Sequence, residues 1–279
     1  NGTEPPSLDP HLSTDKQSSY IIQTLLEGLV TLELPSLEPA PGVAESWEIS
    51  DDGKIYTFHL RENARWSNGD PVIADDFVWS WWRVLQPELG SQYTYMLFSV
   101  QNAEAYAKGE VKDFAEVGIT AIDSHTLRVE LENPTPYFLQ LLDHPISYPV
   151  HRPTLEALGE TTNRGMNWTR AENYIGNGPF TLKEWKLYKK IEVQKNPNYW
   201  DADNVKLNGV VFYPVENQST EDRMFEAGQI HSTYKLSIDK IPVYKKERPE
   251  LLIQYPLLST YYYVLNVNHP TLKDKRIRR

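Results

Sequence analysis

The feature that most constrains the fold is a dense block of local signals at residues 44–85, AESWEISDDGKIYTFHLRENARWSNGDPVIADDFVWSWWRVL. Asp51-Asp52-Gly53 indicates a turn, because Asp hydrogen-bonds its own backbone and Gly accepts a positive φ. Residues 55–60 alternate between two faces, one of them apolar, which predicts a strand. A second turn at Asn68-Gly69 precedes residues 74–85, whose apolar side chains recur at helical spacing. The block therefore predicts a turn, a strand, a second turn and an amphipathic helix in close succession.

Composition narrows the function classes. The chain has 279 residues, 40% of them hydrophobic, which is enough for the core of one large or two ordinary domains. Its net charge of −10 argues against a nucleic-acid or anionic-membrane partner, since both require concentrated Lys and Arg. There is no cysteine, so disulfides and thiolate metal sites are excluded. No apolar run reaches the roughly 18 residues that a membrane-spanning helix needs.

The rest of the chain alternates between strand, turn and helix patterns. Residues 1–40 predict an opening strand and a helix over residues 18–29, after which Pro35, Pro39 and Pro41 break the pattern. Residues 163–177 are polar and predict a loop. Further strands are predicted at 119–122, 126–131, 180–185, 191–195, 210–215, 251–255 and 260–268. Further helices are predicted at 137–142, 219–227 and 238–248, with Ser219 as an N-cap.

Short motifs spread over nearly the whole chain carry a resemblance to a known family. Together with the block at residues 44–85, they resemble, in the same order, the family 5 extracellular solute-binding proteins, which are the oligopeptide- and dipeptide-binding receptors of ABC importers. The motifs are Ser7-Leu8-Asp9-Pro10-His11, Leu26-Glu27-Gly28-Leu29-Val30, Pro41-Gly42-Val43-Ala44-Glu45-Ser46-Trp47, Asn177-Gly178-Pro179-Phe180, Asn196-Pro197-Asn198-Tyr199-Trp200 and Thr260-Tyr261-Tyr262-Tyr263.

The resemblance implies a fold and a domain layout. The fold is α/β, a type II periplasmic-binding-protein-like lobe with a mixed sheet and an inserted smaller α+β domain. Residues 1–41 plus 165–268 would form the discontinuous first lobe, and residues 42–164 the inserted domain. Residues 269–279 resemble the start of a second lobe, which is absent from this chain. We therefore expect the chain to be the N-terminal portion of a larger receptor.

The resemblance also implies a function. It predicts the substrate-binding component of an ABC peptide importer, which captures short oligopeptides in an inter-lobe cleft and delivers them to a membrane permease. It further implies a monomeric periplasmic protein, exported with a signal peptide not present in this chain, with no cofactor and no nucleic acid. Alternatives remain open: a dipeptide, murein tripeptide, nickel chelate or haem as ligand, a signalling receptor domain, or a hydrolase.

Candidate ligand-binding residues follow from matching this sequence to the family motifs. A peptide receptor must grip what all peptides share, so backbone and aromatic contacts are expected. Glu27 would pair with a cationic group or be an ordinary exposed carboxylate at a helix end, and Gly28 would allow close approach of the backbone. Core packing is the alternative for the tyrosines on the 260–268 strand. The candidates are Glu27, Gly28, Leu29, Val30, Tyr93, Tyr95, Tyr262 and Tyr263.

Catalysis has little support in the residues. The chain contains no HExxH, GxSxG, P-loop or metal-ligand pattern. Adjacent carboxylates such as Asp75 and Asp76 lie at a predicted helix start, where Asp is favoured for backbone reasons. We predict no catalytic and no metal-binding residue, and assign to core packing the tryptophans Trp47, Trp66, Trp81, Trp82, Trp185 and Trp200.

Overall fold

The computed structural model describes residues 2–254 and 260–278. Its helices are α1 (Lys16–Leu25), α2 (Ala74–Leu85), α3 (Ala103–Ala107), α4 (Phe138–Leu141), α5 (Arg152–Ala157), α6 (Gln218–Glu226) and α7 (Ile241–Glu247). Its strands are β1 (Val30–Glu33), β2 (Glu38–Pro41), β3 (Ala44–Ile49), β4 (Ile55–Leu60), β5 (Ile119–Asp123), β6 (Thr126–Glu130), β7 (Phe180–Lys186), β8 (Lys190–Lys195) and β9 (Gly209–Phe212).

The strands form three antiparallel sheets. β1 pairs with β2, four strands follow the order β3-β4-β6-β5, and three follow the order β7-β8-β9. The four-stranded sheet draws only on residues 44–130, and the three-stranded sheet only on residues 180–212. Buried side chains nevertheless form one continuous cluster from Leu8 to Val193, so the sheets share a single core.

The strand and helix of the 44–85 block are confirmed at their predicted bounds. β4 buries every second residue, as its alternation requires. Gly53 and Gly69 both adopt positive φ in the turns before β4 and α2. α2 starts where the Asp76 carboxylate accepts hydrogen bonds from the Ile73 backbone N–H at 2.9 Å and from Trp66 Nε1 at 3.1 Å. The helix then packs against the sheet, chiefly against β5.

A buried polar network joins the Ser7–His11 motif to α2. Arg83, which has no exposed side-chain surface, donates to the Asp9 carboxylate at 2.7 and 3.2 Å. Its Nη1 also lies 2.8 Å from His11 Nδ1, and because a guanidinium only donates, that nitrogen must accept. His11 Nε2 therefore carries the proton and donates to the Tyr148 carbonyl at 3.0 Å. Burial, followed by the Arg83 charge, lowers the pKa of His11 to about 4.

The N-terminal segment departs from its prediction. Residues 2–15 contain no strand, and α1 ends at Leu25, so the predicted helix over 18–29 is too long. The helix stops because Leu26 is extended and the Glu27 backbone bonds to a distant side chain, that of Asn177. The strand lies after the helix, in the β1–β2 hairpin. Pro39 and Pro41 fall within β2, which belongs to a sheet of only two strands.

Several later elements agree with their predictions. The β5–β6 and β7–β8 hairpins lie where expected, and residues 163–177 contain no helix or strand. α4 lies inside the predicted 137–142 helix. α6 begins one residue early, because its N-cap is Asn217, whose side chain accepts from the Thr220 N–H at 3.0 Å, and not Ser219. The predicted 238–248 helix is divided into a 3₁₀ turn and α7.

The last two predicted strands are wrong within the described residues. Leu251 ends a 3₁₀ turn, residues 252–254 have no strand, and Tyr255 lies outside the described residues. Residues 260–268 belong to no strand and no sheet of the described structure. An apolar pattern forms a strand only where a neighbour supplies backbone partners, and no described strand lies alongside this segment.

The tryptophan assignment is correct in part. Trp66 and Trp81 are each 1% exposed, and Trp47 and Trp185 pack partly buried against the core. Trp82 is only half-buried, because it projects from α2 into a surface groove that also contains Trp79. Trp200 contacts the Arg61 guanidinium near the candidate site.

Candidate functional site

The carboxylate of Glu27 lies at the centre of a polar cluster that gathers three of the sequence motifs. Tyr199 Oη donates to Glu27 Oε1 in a short hydrogen bond, and Trp200 Nε1 donates to Oε2 at 2.7 Å. Glu27 is therefore not an exposed carboxylate at a helix end, and its pairing with a cationic group of a ligand stays a prediction. Both of its oxygens fasten the 196–200 motif to the segment that follows α1.

The Glu27 backbone is held just as closely. Asn177 accepts from the Glu27 N–H at 3.0 Å and donates to its carbonyl at 2.9 Å, as a neighbouring strand would. Gly178 donates its N–H to the Leu25 carbonyl at 3.0 Å, and a Cβ at Gly178 would lie 2.6 Å from Leu25 C. Asn196, which is fully buried, donates to the Gly178 carbonyl at 2.9 Å. The glycine allows the loop to approach α1, and the asparagines hold it there.

Arg61 completes this group, which we call the Glu27 cluster (Glu27, Arg61, Asn177, Asn196, Tyr199 and Trp200). Its guanidinium carbon lies 3.6 Å from the Trp200 ring centroid, and its Nε donates to the Gly42 carbonyl at 2.8 Å. Burial raises the pKa of Glu27 to about 7, although the bonds from Tyr199 and Trp200 and the Arg61 charge oppose the increase. The carboxyl thus titrates near neutral pH.

The three residues after Glu27 pack against the core of the protein. Leu29 and Val30 are 1% and 0% exposed, so only their backbone could meet a ligand. The Gly28 and Leu29 carbonyls already accept from the backbone of residues 42–44. A Cβ on Gly28 would lie 2.7 Å from the Tyr148 ring. In this structure the missing side chain at Gly28 makes room for Tyr148.

Tyr93 and Tyr95 belong to a small group of aromatic rings in contact with one another. Their ring centroids lie 6.0 Å apart in an edge-to-face arrangement, and Tyr93 packs edge-on against His144 at 5.1 Å. Tyr93 Oη donates to the Thr14 carbonyl at 3.3 Å, so it borders the N-terminal segment, whereas Tyr95 is 59% exposed. Tyr95 is the more available of the two for a ligand.

Tyr262 and Tyr263 are 71% and 81% exposed, so they do not pack in the core of the described structure. Neither lies in a strand, and they are not brought together with the Glu27 cluster by any contact in the described residues.

Sequence reasoning missed four members of the cluster. Asn177, Asn196 and Tyr199 belong to motifs that were given no role, and Arg61 belongs to none of the short motifs. For Asn196 and Tyr199 a signal existed, since an Asn-rich, aromatic run between strands is typical of a loop that bonds to another segment, but it does not indicate which segment. Nothing in the sequence pointed to Arg61.

Residues 2–254 and 260–278 contain neither a metal-binding cluster nor a membrane-spanning helix. No group of three or more His, Asp or Glu side chains is arranged to hold a metal ion. No helix in these ranges combines the length and apolarity needed to cross a bilayer.

Comparison with known proteins places the chain. Residues 38–279 match the model of the bacterial extracellular solute-binding proteins, family 5 Middle. The periplasmic oligopeptide-binding protein OppA of Escherichia coli is 38% identical over the whole chain, which covers 50% of that protein. The structure of Burkholderia pseudomallei OppA matches all of this chain and 53% of its own, with 37% identity and a TM-score of 0.90.

A third comparison includes a ligand. The structure of Haemophilus influenzae OppA in complex with RPPGFSPFR is 38% identical, with a TM-score of 0.81, and covers 88% of this chain and 47% of its own. The fold is thus that of the periplasmic peptide-binding proteins. The chain belongs to the family 5 bacterial extracellular solute-binding proteins, whose members are binding proteins and not enzymes. It spans about half the length of the curated relatives it matches.

Proposed function

We propose that the protein containing this chain is the substrate-binding component of an ABC peptide importer. It would capture short oligopeptides through their backbone and termini in a cleft between two lobes and deliver them to a membrane permease. The observation that carries the proposal is that the whole of this chain matches 50% of an oligopeptide-binding relative. A second such relative, which matches 88% of this chain, has been solved with a peptide.

The layout of the lobes is part of the proposal. Residues 1–41 and 165–268 would form one lobe, residues 42–164 an inserted domain, and residues 269–279 the start of the opposing lobe. The Asp9–Arg83 pair would then fasten the inserted domain to the lobe, and the Glu27 cluster would fasten the two parts of the lobe to each other. A rigid lobe favours binding because less conformational entropy is lost when the ligand is bound.

The site residues would act in two ways. Within the Glu27 to Val30 segment, the Gly28 and Leu29 N–H groups would bind an extended peptide, since the carbonyls of these two residues and both backbone groups of Glu27 already bond within the fold. Tyr95, Tyr262 and Tyr263 would offer rigid faces that accept many side chains, because their large exposed rings lose little rotamer entropy on binding. Tyr93 would hold Tyr95 in place. The protein would act in the periplasm as a monomer, without a cofactor and without catalysing a reaction.

The substrate class can be tested with the full-length protein. Ligands that remain after mild purification are identified by mass spectrometry, and short peptides of unrelated side-chain composition are the expected result. Retention of haem or a nickel chelate, or a single defined small molecule, would contradict the proposal. For the 279-residue chain alone, calorimetry with mixed tri- and tetrapeptides should show weak binding, and a Kd of about 1 µM or tighter would contradict a cleft that needs two walls.

A matched pair of variants tests the tyrosines. Tyr95 and Tyr188 are both strongly exposed, but Tyr188 lies in the β7–β8 turn, outside every proposed site. Tyr95→Ala should weaken peptide binding by about tenfold, and Tyr188→Ala should leave it unchanged. Equal effects of the two substitutions would remove Tyr95 from the site.

A further inference from the structure

α2 exposes an aromatic groove that the peptide site does not use. The groove has a volume of about 520 Å³, and none of the residues proposed for peptide binding lines it. Its walls include Trp79, Trp82 and Phe114 together with the charged side chains of Asp75, Arg152 and Glu156. The groove is open to solvent and presents aromatic faces beside a few charges, so a small ligand could contact both.

α2 docks chiefly through Phe77, Trp81 and Val84, which are buried in the core. Trp79 packs only partly against that core, so part of its ring remains open to the groove. Asp75, Trp79 and Trp82 follow at i, i+4 and i+7 on the outward side, so they form one row along the groove. The two indole centroids are 5.8 Å apart and tilted by 40°, so neither ring covers the face of the other.

The charges around the groove define the ligand chemistry. The Arg152 guanidinium carbon lies 5.8 Å from the Trp79 ring centroid, and Arg152 Nε donates to Glu156 at 2.7 Å. A cation therefore already lies beside an indole face and a carboxylate within the groove. The Asp75 side chain is exposed one turn before Trp79, and within residues 2–254 and 260–278 this side chain forms no hydrogen bond or ion pair. Indole faces flanked by carboxylates attract cations.

We propose that this groove is a binding site for a small organic cation, an ammonium or guanidinium carried on an apolar body. The cation lies against Trp79 and Trp82 and is balanced by Asp75. Arg152 competes with it, since its guanidinium occupies the neighbourhood of Trp79 and neutralises Glu156. Removal of that side chain should therefore strengthen binding, an effect that a purely structural role of the groove would not produce.

The test uses choline as the cation and 3,3-dimethyl-1-butanol, which has the same shape without the charge, as the control. The indole N–H signals of the 279-residue chain are followed by ¹H–¹⁵N NMR, with Trp79 and Trp82 assigned from Trp79→Phe and Trp82→Phe. We expect choline to shift these two signals saturably, with a Kd of about 1–10 mM. The alcohol should bind at least about tenfold more weakly.

Three substitutions test whether the groove residues cause the choline-dependent shifts of the Trp79 and Trp82 signals. Asp75→Asn and Trp82→Leu should each weaken choline binding by about tenfold, and Arg152→Ala should strengthen it by about fivefold. Asp51→Asn, in an exposed turn, is the control and should change nothing. Unchanged signals of the core indoles Trp66 and Trp81 show that each variant is folded. Equal response to choline and the alcohol, no saturation, or no effect of Asp75→Asn would each overturn the proposal.

Discussion

Asp9→Asn should destabilise the fold far more than its modest change in shape suggests. The Arg83 guanidinium is completely buried, and among residues 2–254 and 260–278 Asp9 is the one acidic residue that forms an ion pair with it, through two hydrogen bonds at 2.7 and 3.2 Å. The asparagine keeps one acceptor but turns an NH₂ group towards a guanidinium that can only donate. Arg83 would remain charged, buried and unbalanced. Loss of one partner from a buried pair costs about 3–5 kcal/mol.

The matched control is the Glu104–Lys108 pair. Its N–O distance of 2.6 Å is no longer than that of the buried pair, but both of its side chains are more than half exposed. Glu104→Gln should therefore cost only about 0.3–0.5 kcal/mol. The comparison sets a buried pair, whose arginine also bonds His11 and the Thr161 carbonyl, against an exposed i,i+4 pair of one helix.

Urea unfolding of the 279-residue chain, followed by tryptophan fluorescence, measures both values. With an m-value of about 3 kcal/mol/M, Asp9→Asn should lower the midpoint by about 1–1.7 M. The double variant Asp9→Leu with Arg83→Met should regain most of the loss, because it removes both charges of the buried pair and leaves neither unbalanced. A loss below about 1.5 kcal/mol for Asp9→Asn, or equal losses for the two single variants, would refute the reasoning.

Three further results are expected, two from the Glu27 cluster and one from the neighbouring Gly28. Because burial raises the pKa of Glu27 to about 7, above the usual carboxyl value of 4.5, its contribution to stability is complete below pH 4.5 and is lost as the pH rises through about 7. The wild type should lose up to about 3 kcal/mol more than Glu27→Gln between pH 5 and 8 in urea titrations, and parallel curves would contradict this. Asn177→Ala should cost about 2–4 kcal/mol in the same assay, because the loss of the Asn177 side chain leaves the Glu27 N–H and C=O without their hydrogen-bond partner. The exposed Asn204→Ala, as control, should cost under about 0.5 kcal/mol. Gly28→Ala should cost about 1–3 kcal/mol and shift the Tyr148 ring signals in NMR, and an unchanged stability would show that the ring moves freely.

The parts of the fold that the sequence predicts correctly are those whose determining residues lie close together in sequence. β4 and α2 fall at their predicted bounds because turn residues, alternation and helical spacing all lie between residues 51 and 85. The β5–β6 hairpin was found for the same reason, since its Asp123-Ser124-His125 turn adjoins both strands.

The errors come from distant partners. α1 ends early because Asn177, 150 residues away in sequence, bonds to the Glu27 backbone. Tyr199 reaches Glu27 across 172 residues, which no local pattern could indicate. The strand pattern at 260–268 failed for the opposite reason, since no described strand pairs with it. The motifs that carried the family resemblance did point to this cluster, but the contacts between them required the fold.

Calorimetry of the full-length protein with a tripeptide series tests the peptide-binding function most directly. If the site grips backbone and termini, exchanging side chains should change Kd by less than about tenfold, whereas blocking both termini should weaken binding by about a hundredfold or more. Every peptide should be recovered intact by chromatography. Tight binding that survives blocked termini but depends on one particular side chain, or recovery of cleaved peptide, would contradict the account.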